Sequence, residues 1–220
     1  MNLYALLKNR KKESGPIRIG VIGAGKFASM FLTQAANMSE FHVAAIADLD
    51  TSRAKDALLR TGWDMSRVTT SNVQQAVISG QTLITDDSRE LLEHEQIEVI
   101  LEITGNPVAG VRHALSAIEN RKHIIMVNVE ADVLAGPILK KKADTAGVVY
   151  SLAYGDQPAL ICQMVDWGRA AGFEVTAAGK GTKYLPEYRK STPETVWDYY
   201  GFSKERVAAG DFNPKMFNSF

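Results

Sequence analysis

Short apolar runs alternate with longer segments of helical spacing between residues 17 and 153, and this alternation constrains the fold more than any other feature. The runs are compact and rich in β-branched residues, which is typical of strands buried on both faces of a parallel sheet. Strands that alternate with helices imply right-handed crossovers, so the sequence predicts a doubly wound α/β domain. The six runs are IRIGVIG, HVAAIAD, TLITD, EVILEIT, HIIMVNV and GVVYSLA.

Three of the segments between these runs have helical features. Two of them show apolar residues at helical spacing, which we expect to face the sheet. The third lies between the second helix and the third strand and is too long for a plain loop, so we predict a short helix over residues 72–79 within it. The residues expected on the two buried faces are Phe27, Met30, Phe31 and Ala35 in one helix, and Val108, Val111, Leu115 and Ile118 in the other.

The pattern changes after Ala153, where we place the boundary between two domains. Residues 1–15 are a basic N-terminal arm, which we expect to be solvated or to form a short helix. Residues 16–153 form the doubly wound domain, and residues 154–220 begin a second, α+β domain. Within that second part we predict a helix that ends at Gly172, followed by a strand in FEVTAAGKG.

The residues after the first domain are too few for a core of their own. They finish on Met216, Phe217 and Phe220, with no later element to cover these apolar side chains. We therefore expect the chain to be the front part of a longer protein. The alternative is a C-terminal segment that docks on its own sheet or on a second subunit.

Composition excludes several classes of protein. The 220 residues contain 25 Lys and Arg against 25 Asp and Glu, so no global field favours nucleic acid or an anionic membrane surface. The single Cys162 rules out an internal disulfide, and no run approaches the length of a membrane span, so we expect a cytoplasmic protein. The four histidines are scattered without metal-ligand spacing, and we predict no metal site.

The first strand leads into a glycine-rich turn at the start of a helix, with the pattern G-x-G-x-x-[G/A]. Gly23 permits the tight turn, Gly25 lets the backbone approach a diphosphate, and the small Ala28 lets the helix pack closely on the strand. The N–H groups and dipole at such a helix start favour a bound anion. The sequence therefore predicts a Rossmann domain that binds a dinucleotide, with a purely structural turn as the alternative. The turn comprises Gly23, Ala24, Gly25, Lys26, Phe27 and Ala28.

The second strand ends at Asp48, where a carboxylate can accept hydrogen bonds from both ribose hydroxyls of NAD and would repel the 2′-phosphate of NADP. Arg53 follows shortly afterwards and could bind that phosphate in a bidentate manner. Alternatively, Thr51 or Ser52 caps the next helix, and Arg53 is a solvated residue in its first turn. The sequence leaves both NAD and NADP open as the cofactor.

Ligands of doubly wound sheets bind beyond the carboxyl ends of the strands, so the ends of the fourth and fifth predicted strands should face the nicotinamide. Thr104, Gly105 and Asn106 follow the fourth strand, and Asn128 and Glu130 follow the fifth. These residues offer hydroxyl, amide and carboxylate groups to a cofactor or a substrate. An ordinary turn and helix cap is the alternative interpretation.

Candidates for the chemistry lie mainly after the sheet. Lys180, between two glycines, and Lys183 could polarise a carbonyl or bind a substrate phosphate, although each is otherwise a solvated surface residue. Asp156 has the sequence context of a helix N-cap and could also contact substrate. Glu130 is either an acidic residue favoured by the helix dipole or a carboxylate that binds substrate.

The motifs IRIGVIGAGKFASMF, EITGNP, IIMVNVEADV, YGDQP and GKGTKYLP resemble those of the homoserine-dehydrogenase-like oxidoreductases that carry a C-terminal SAF domain. That group includes the deoxyxylulose-phosphate-reductoisomerase-like enzymes of isoprenoid precursor synthesis. The resemblance covers essentially the whole chain, and it implies a first domain that binds NAD(P)H, a second domain that completes the catalytic site and forms a homodimer, and a SAF module after it. By this resemblance, the diphosphate would be bound by Gly23, Gly25 and Ala28, the nicotinamide side lined by Thr104, Gly105 and Asn128, and the catalytic half would contain Lys180 and Lys183.

The chain departs from this family in two respects. Homoserine dehydrogenases have an Asn-Lys pair after the fifth strand, whereas Asn128 is followed here by Val129, so a lysine role would move to Lys180 or Lys183. Members of the group also run well past residue 220. We expect an NAD(P)-dependent oxidoreductase, or its cofactor-binding part, that transfers hydride between the nicotinamide and a small hydroxy or keto substrate, with or without a phosphate group. A nucleotide-sensing module without catalysis is the alternative.

Overall fold

The structure is a computed structural model, and it describes residues 2–69, 71–154, 157–179, 185–192, 195 and 205. The chain divides into two compact units, Met1–Gln163 and Met164–Phe220. No helix in these described ranges is both long and apolar enough to cross a membrane.

Seven parallel strands form one sheet in the first unit. They are β1 (Ile17–Ile22), β2 (Phe41–Ala47), β3 (Val68–Thr69), β4 (Thr82–Thr85), β5 (Val99–Glu102), β6 (His123–Met126) and β7 (Tyr150–Leu152). Their order in the sheet is β3-β4-β2-β1-β5-β6-β7. Six strands coincide with the six predicted runs, which confirms the doubly wound α/β fold. The sequence did not predict β3, a two-residue strand that pairs with β4 at the sheet edge.

The central strand β1 pairs with β2 on one side and with β5 on the other. The chain first builds the sheet outward through β2 and β4, and then crosses back to build the other half from β5 to β7. This reversal is a topological switch point. In such sheets a crevice opens beyond the carboxyl ends of the strands at the switch, here those of β1 and β5.

Helices cover both faces of the sheet. Buried side chains of two helices form one core cluster, and those of four later helices form the other. The first pair is α2 (Lys26–Ala35) and α3 (Thr51–Arg60), and the second group is α4 (Val73–Ser79), α5 (Arg89–Leu92), α6 (Pro107–Glu119) and α7 (Val129–Ala146). The predicted short helix is confirmed as α4, which Asn72 caps and which ends before Gly80.

The faces that α2 and α6 bury differ from the prediction. In α2 the buried residues are Ala28, Leu32 and Ala35, whereas Met30 is 57% exposed and Phe27 is also exposed. In α6 the buried residues are Gly110, Ala114, Ala117 and Ile118. Val108 is 54% exposed, and Val111 and Leu115 are only partly buried. The prediction is confirmed for Ala35 and Ile118. It was wrong for Phe27, Met30 and Val108, because it favoured large apolar residues, whereas helices that pack closely on a sheet turn small residues inward.

The N-terminal arm forms α1 (Leu3–Ser14), so the predicted short helix is present. The Arg10 guanidinium donates to the Gly15 carbonyl oxygen at 2.9 Å and to Glu98 Oε1 at 2.5 Å. Glu98 also accepts a hydrogen bond from the Arg18 backbone N–H at 3.0 Å. Side-chain contacts therefore fasten the end of α1 to the amino-terminal edge of the sheet.

Helix α8 (Gln157–Ala170) ends before Gly172, which has a φ of +85°. This end agrees with the prediction. Residues 173–179 form no strand, which corrects the strand predicted in FEVTAAGKG; its last two residues lie outside the described part of the chain. A strand needs a neighbour for its backbone hydrogen bonds, and the described residues of the second unit offer none. A 3₁₀ helix covers Pro186–Lys190.

His42 in β2 predicts how stability depends on pH. Its ring Nε2 lies 2.7 Å from the Gln81 carbonyl oxygen, and burial lowers the pKa of His42 below its ordinary 6.5. As pH falls, the unfolded chain therefore takes up this proton before the folded protein does, and stability is lost. We expect the free energy of unfolding, measured with guanidinium chloride, to decrease from about pH 7.5 to about pH 5, and less steeply in His42→Gln. An equally steep decrease in the variant would contradict this.

Candidate functional site

A cleft of about 450 Å³ opens beyond the carboxyl ends of β1, β2 and β5, at the switch point. Its lining comes from the turn after β1, the ends of β2 and β4, the turn after β5 and one face of α6. The lining residues with polar side chains are Asp48, Asp50, Arg53, Asp86, Ser88, Thr104, Asn106 and His113. The cleft therefore lies where the sequence predicted the dinucleotide.

Gly23 is required by the fold of the turn after β1. Its φ is +104°, a conformation that residues with a side chain rarely adopt. A Cβ at this position would lie 3.1 Å from both the Ile103 carbonyl carbon and the Thr104 backbone nitrogen. The turn thus packs backbone to backbone against the end of β5, as a tight glycine turn requires.

Gly25 is the N-cap residue of α2, and the folded chain itself does not require a glycine there. Its φ is −75°, which any residue can adopt, and a Cβ would meet no atom within 4 Å. Gly25 also provides no side-chain cap, whereas Asp50, Asn106 and Asn128 cap the starts of α3, α6 and α7. The start of α2 is therefore open to the cleft.

Asp48 follows β2, and its side chain is only 8% exposed. The carboxylate accepts hydrogen bonds from the Ala24 backbone N–H at 2.7 Å and from the Asp50 backbone N–H at 2.9 Å. An ionised carboxylate has about four acceptor positions, so this pair of bonds leaves capacity for ribose hydroxyls. Asp48 thus ties the glycine turn to the loop after β2.

The N-cap of α3 is Asp50, which corrects the alternative that Thr51 or Ser52 caps this helix. Asp50 accepts hydrogen bonds from the Ser52 N–H and hydroxyl, and the Ser52 hydroxyl holds the pKa of Asp50 below its ordinary value. Arg53 extends into solvent, with a side chain that is 58% exposed and 3.9 Å from Asp48. Asp48 and Asp50 therefore present two carboxylates on the same part of the cleft.

The residues after β5 form a turn and a helix cap, as one of the two interpretations stated. Gly105 has a φ of +65°, and the Asn106 side chain accepts a hydrogen bond from the Ala109 N–H at 3.0 Å. Thr104 and Asn106 nevertheless line the cleft. Capping and ligand contact are thus compatible at this turn.

Asn128 lies behind these residues rather than in the cleft wall, with 2% of its surface exposed. Its amide nitrogen donates to the Asn106 carbonyl oxygen at 2.9 Å and to Thr104 Oγ1 at 3.3 Å, and its oxygen accepts from the Ala131 N–H at 3.1 Å. The side chain is therefore occupied by the protein, and it supports Thr104 and Asn106 from beneath.

Three polar residues that the sequence reasoning missed meet at one wall of the cleft. Glu102, the last residue of β5, is completely buried, and its Oε1 lies 3.1 Å from His113 Nδ1. His113 Nε2 lies 3.3 Å from Ser88 Oγ. A glutamate at the end of an otherwise apolar strand was a visible signal, but its partners come from the turn before α5 and from α6.

Of the four predicted catalytic residues, only Glu130 is among the residues that the structure describes. Glu130 lies in the first turn of α7 with an exposed side chain, and it is not part of the cleft lining. Lys180, Lys183 and Asp156 lie outside the described residues. Within the predicted turn, Ala28 is fully buried and lets α2 approach the sheet, whereas Lys26 and Phe27 are exposed.

Residues 17–128 match the family model of the GFO/IDH/MocA proteins, described as an oxidoreductase family with an NAD-binding Rossmann fold. The chain belongs to this family. Residues 155–220 match a second family model, the catalytic domain of the oxidoreductase DRL. Residues 17–128 are therefore the NAD-binding Rossmann domain of an oxidoreductase family.

Several solved structures are similar to this GFO/IDH/MocA chain. An NAD binding oxidoreductase from Klebsiella pneumoniae is 22% identical, with a TM-score of 0.49 over 70% of this chain and 40% of the other. A myo-inositol dehydrogenase from Lactobacillus casei, in complex with NAD(H) and myo-inositol, is 18% identical, with a TM-score of 0.49 over 70% and 42%. A homoserine dehydrogenase from Thiobacillus denitrificans is 18% identical, with a TM-score of 0.48 over 60% and 28%.

The chain spans less than half the length of each of these three proteins. No curated protein sequence matches it significantly.

Proposed function

We propose that this chain binds the coenzyme of an enzyme that transfers hydride between the nicotinamide and a small hydroxy or keto substrate. The observation that carries the proposal is the open start of α2 at Gly25, where a side chain would meet no protein atom. A glycine that the fold does not need is explained if a ligand needs the space. The family match over residues 17–128 supports the same conclusion.

The residues around the cleft fit a dinucleotide. Gly23 and Gly25 shape the turn, and the positive end of the α2 dipole favours a diphosphate beside it. Asp48 lies where the adenosine ribose would bind, and Thr104 and Asn106 lie toward β5, on the side proposed for the nicotinamide. When bound, the coenzyme supplies or accepts the hydride, and these residues of the chain hold and orient it.

The carboxylates in the cleft favour NAD(H) over NADP(H). A 2′-phosphate would lie near both Asp48 and Asp50, and the hydrogen bonds from Ser52 that lower the pKa of Asp50 keep that group charged. Arg53 is the nearby cation, but its guanidinium is mostly exposed and already lies 3.9 Å from Asp48. We therefore propose NAD(H) as the preferred coenzyme.

The proposal also includes residues for substrate binding and catalysis that do not line the described cleft. Residues 155–220 match the DRL catalytic domain, and we propose that Lys180, Lys183 and Asp156 bind substrate or stabilise charge there, with Glu130 as a further candidate. The resemblance to the homoserine-dehydrogenase-like and deoxyxylulose-phosphate-reductoisomerase-like enzymes favours a phosphorylated substrate, a homodimer and a following SAF domain. These features belong to the proposal for the whole protein.

Replacement of Asp48 tests both the site and the coenzyme preference. We expect the wild type to bind NADH about tenfold more tightly than NADPH, because a carboxylate attracts ribose hydroxyls and repels a phosphate. We expect Asp48→Asn to reduce this ratio by about tenfold, since the charge is removed. The amide has a single acceptor oxygen, so one of the two hydrogen bonds from the Ala24 and Asp50 N–H groups is lost as well. Isothermal titration calorimetry with each coenzyme measures the ratio.

Asp64→Asn is the matched control, because Asp64 is likewise a carboxylate that accepts a hydrogen bond from a backbone N–H, that of Ser66, but it does not line the cleft. Its coenzyme ratio should equal that of the wild type. Absence of NADH and NADPH binding at about millimolar concentration would overturn the proposed function, since that limit corresponds to only about 4 kcal/mol of binding free energy. A wild type that prefers NADPH would overturn the proposed preference alone.

A further inference from the structure

We propose that Asn128 and Gly110 are positioning residues for the nicotinamide half of the coenzyme, although neither is among the described residues that line the cleft. The inference rests on the proposed function, because it concerns the same site. Thr104 and Asn106 line the cleft on the side proposed for the nicotinamide. The Asn128 side chain contacts both of them, and Gly110 leaves the space in which that side chain lies.

Backbone groups fix the orientation of the Asn128 amide. The Ala131 N–H can only donate, so the amide oxygen of Asn128 faces it, at 3.1 Å. The amide nitrogen then faces the Asn106 carbonyl oxygen at 2.9 Å, which can only accept, and Thr104 Oγ1 at 3.3 Å. These backbone groups do not ionise, so Asn128 donates to the turn after β5 at any ordinary pH.

The backbone of Asn128 is itself attached to the end of β5. Its N–H donates to the Glu102 carbonyl oxygen at 3.2 Å, and the N–H of Val127 donates to the same oxygen at 3.0 Å. Only 2% of the Asn128 surface is exposed. A buried side chain on a fixed backbone has few alternative positions, so Asn128 is a firm support for the residues that follow Glu102.

Gly110, in α6, provides the room for this support. A Cβ at Gly110 would lie 2.5 Å from Asn128 Nδ2 and 2.8 Å from the Ala131 Cβ, and both distances are too short for real contacts. A glycine within a helix is unfavourable relative to alanine. Its presence here is explained by the space that the Asn128 amide and the start of α7 require.

The effect of this support should be confined to one half of the ligand. Gly25 and Asp48, which are proposed to bind the diphosphate and the adenosine ribose, belong to the turns after β1 and β2. Asn128 contacts the turn after β5 instead. Loss of its donor should therefore move Thr104 and Asn106 and leave the sites for the diphosphate and the adenosine ribose unchanged.

The experiment compares NADH with ADP-ribose by titration calorimetry of the full chain. ADP-ribose has the adenosine, the diphosphate and the second ribose but no nicotinamide, so general effects on diphosphate binding cancel in the ratio. We expect the wild type to bind NADH about tenfold more tightly than ADP-ribose, the effect of one or two hydrogen bonds.

Asn128→Ser removes the amide donor and keeps the helix cap. Serine is as good an N-cap as asparagine, but it is too short to reach Asn106 and Thr104. We expect the ratio to fall below about threefold, with the affinity for ADP-ribose within about twofold of the wild type. Asn72→Ser is the matched control, because Asn72 caps α4 in the same way and does not line the cleft, and it should keep the wild-type ratio.

Gly110→Ala tests the space rather than the donor. The added methyl group would displace the Asn128 amide, so this variant should also lose most of the NADH preference. Gly136→Ala is its control, because a Cβ there would collide with the Asp132 side chain in α7, away from the cleft lining. This control should keep the ratio even if the protein becomes less stable, as guanidinium denaturation would show.

The outcomes distinguish this inference from the proposed function. Equal affinity of the wild type for NADH and ADP-ribose would overturn the inference and leave coenzyme binding intact. A wild-type ratio in Asn128→Ser or in Gly110→Ala, including an equal loss of affinity for both ligands, would also overturn it and leave a merely structural role. Failure to bind either ligand would overturn the proposed function and the inference together.

Discussion

Gly25→Val should weaken NADH binding by about 100-fold, equal to about 2.7 kcal/mol, while leaving the folded protein intact. The valine side chain would project into the space beside the start of α2, where a Cβ meets no protein atom, and would keep a diphosphate away from the helix N–H groups. We expect the free energy of unfolding to change by less than about 0.5 kcal/mol, as for other surface substitutions. Calorimetry and guanidinium denaturation measure the two effects.

Thr33→Val is the control for Gly25→Val, because it places a valine on the exposed side of the same helix, away from the cleft. It should bind NADH as the wild type does. Full coenzyme affinity in Gly25→Val would mean that the open space is not used by the ligand, and the proposed site would be wrong.

Gly23→Val, in contrast to Gly25→Val, should lower the stability of the folded protein. A side chain at a φ of +104° is strained, and its Cβ would lie 3.1 Å from backbone atoms of Ile103 and Thr104, which cannot move aside as a flexible side chain can. We expect a loss of about 3 kcal/mol in the free energy of unfolding, from strain and overpacking together. Denaturant unfolding of the two valine variants side by side measures the contrast.

Two equally stable valine variants would contradict this division of roles. A Gly23→Val protein as stable as the wild type would show that the turn can relax away from the end of β5. The backbone contact described for Gly23 would then not contribute to the fold.

The sequence was sufficient for features that depend on local pattern. Six strand positions followed from the apolar runs, and the turn at Gly23 and Gly25 followed from glycine spacing. The helix end at Gly172 followed from the preference of glycine for positive φ. Each of these signals lies within a few consecutive residues, so no knowledge of distant neighbours was needed.

Features that depend on distant neighbours were not predictable in the same way. The buried face of α6 includes Gly110, because a Cβ there would lie 2.8 Å from the Ala131 Cβ of α7. Nothing within α6 itself reveals that close approach. The contacts that His113 makes with Ser88 and Glu102 were missed for the same reason, since the three residues come from separate elements that only the folded sheet brings together.

The cap of α3 shows a third kind of error. Asp50, Thr51 and Ser52 are all good N-cap residues, and the sequence does not rank them. The fold selects Asp50 because its N–H is held by Asp48, which is itself held by the glycine turn. The start of α3 is therefore set by a contact with another loop.

Asn128 joins two loops that are far apart in the sequence. One side chain holds the backbone of Asn106, the hydroxyl of Thr104 and the first turn of α7. These hydrogen bonds of Asn128 consequently hold the loops after β5 and β6 together. A ligand that binds across both loops therefore contacts two segments that cannot move apart without breaking these hydrogen bonds. Adaptation to ligands of different size must then come from other segments of the polypeptide.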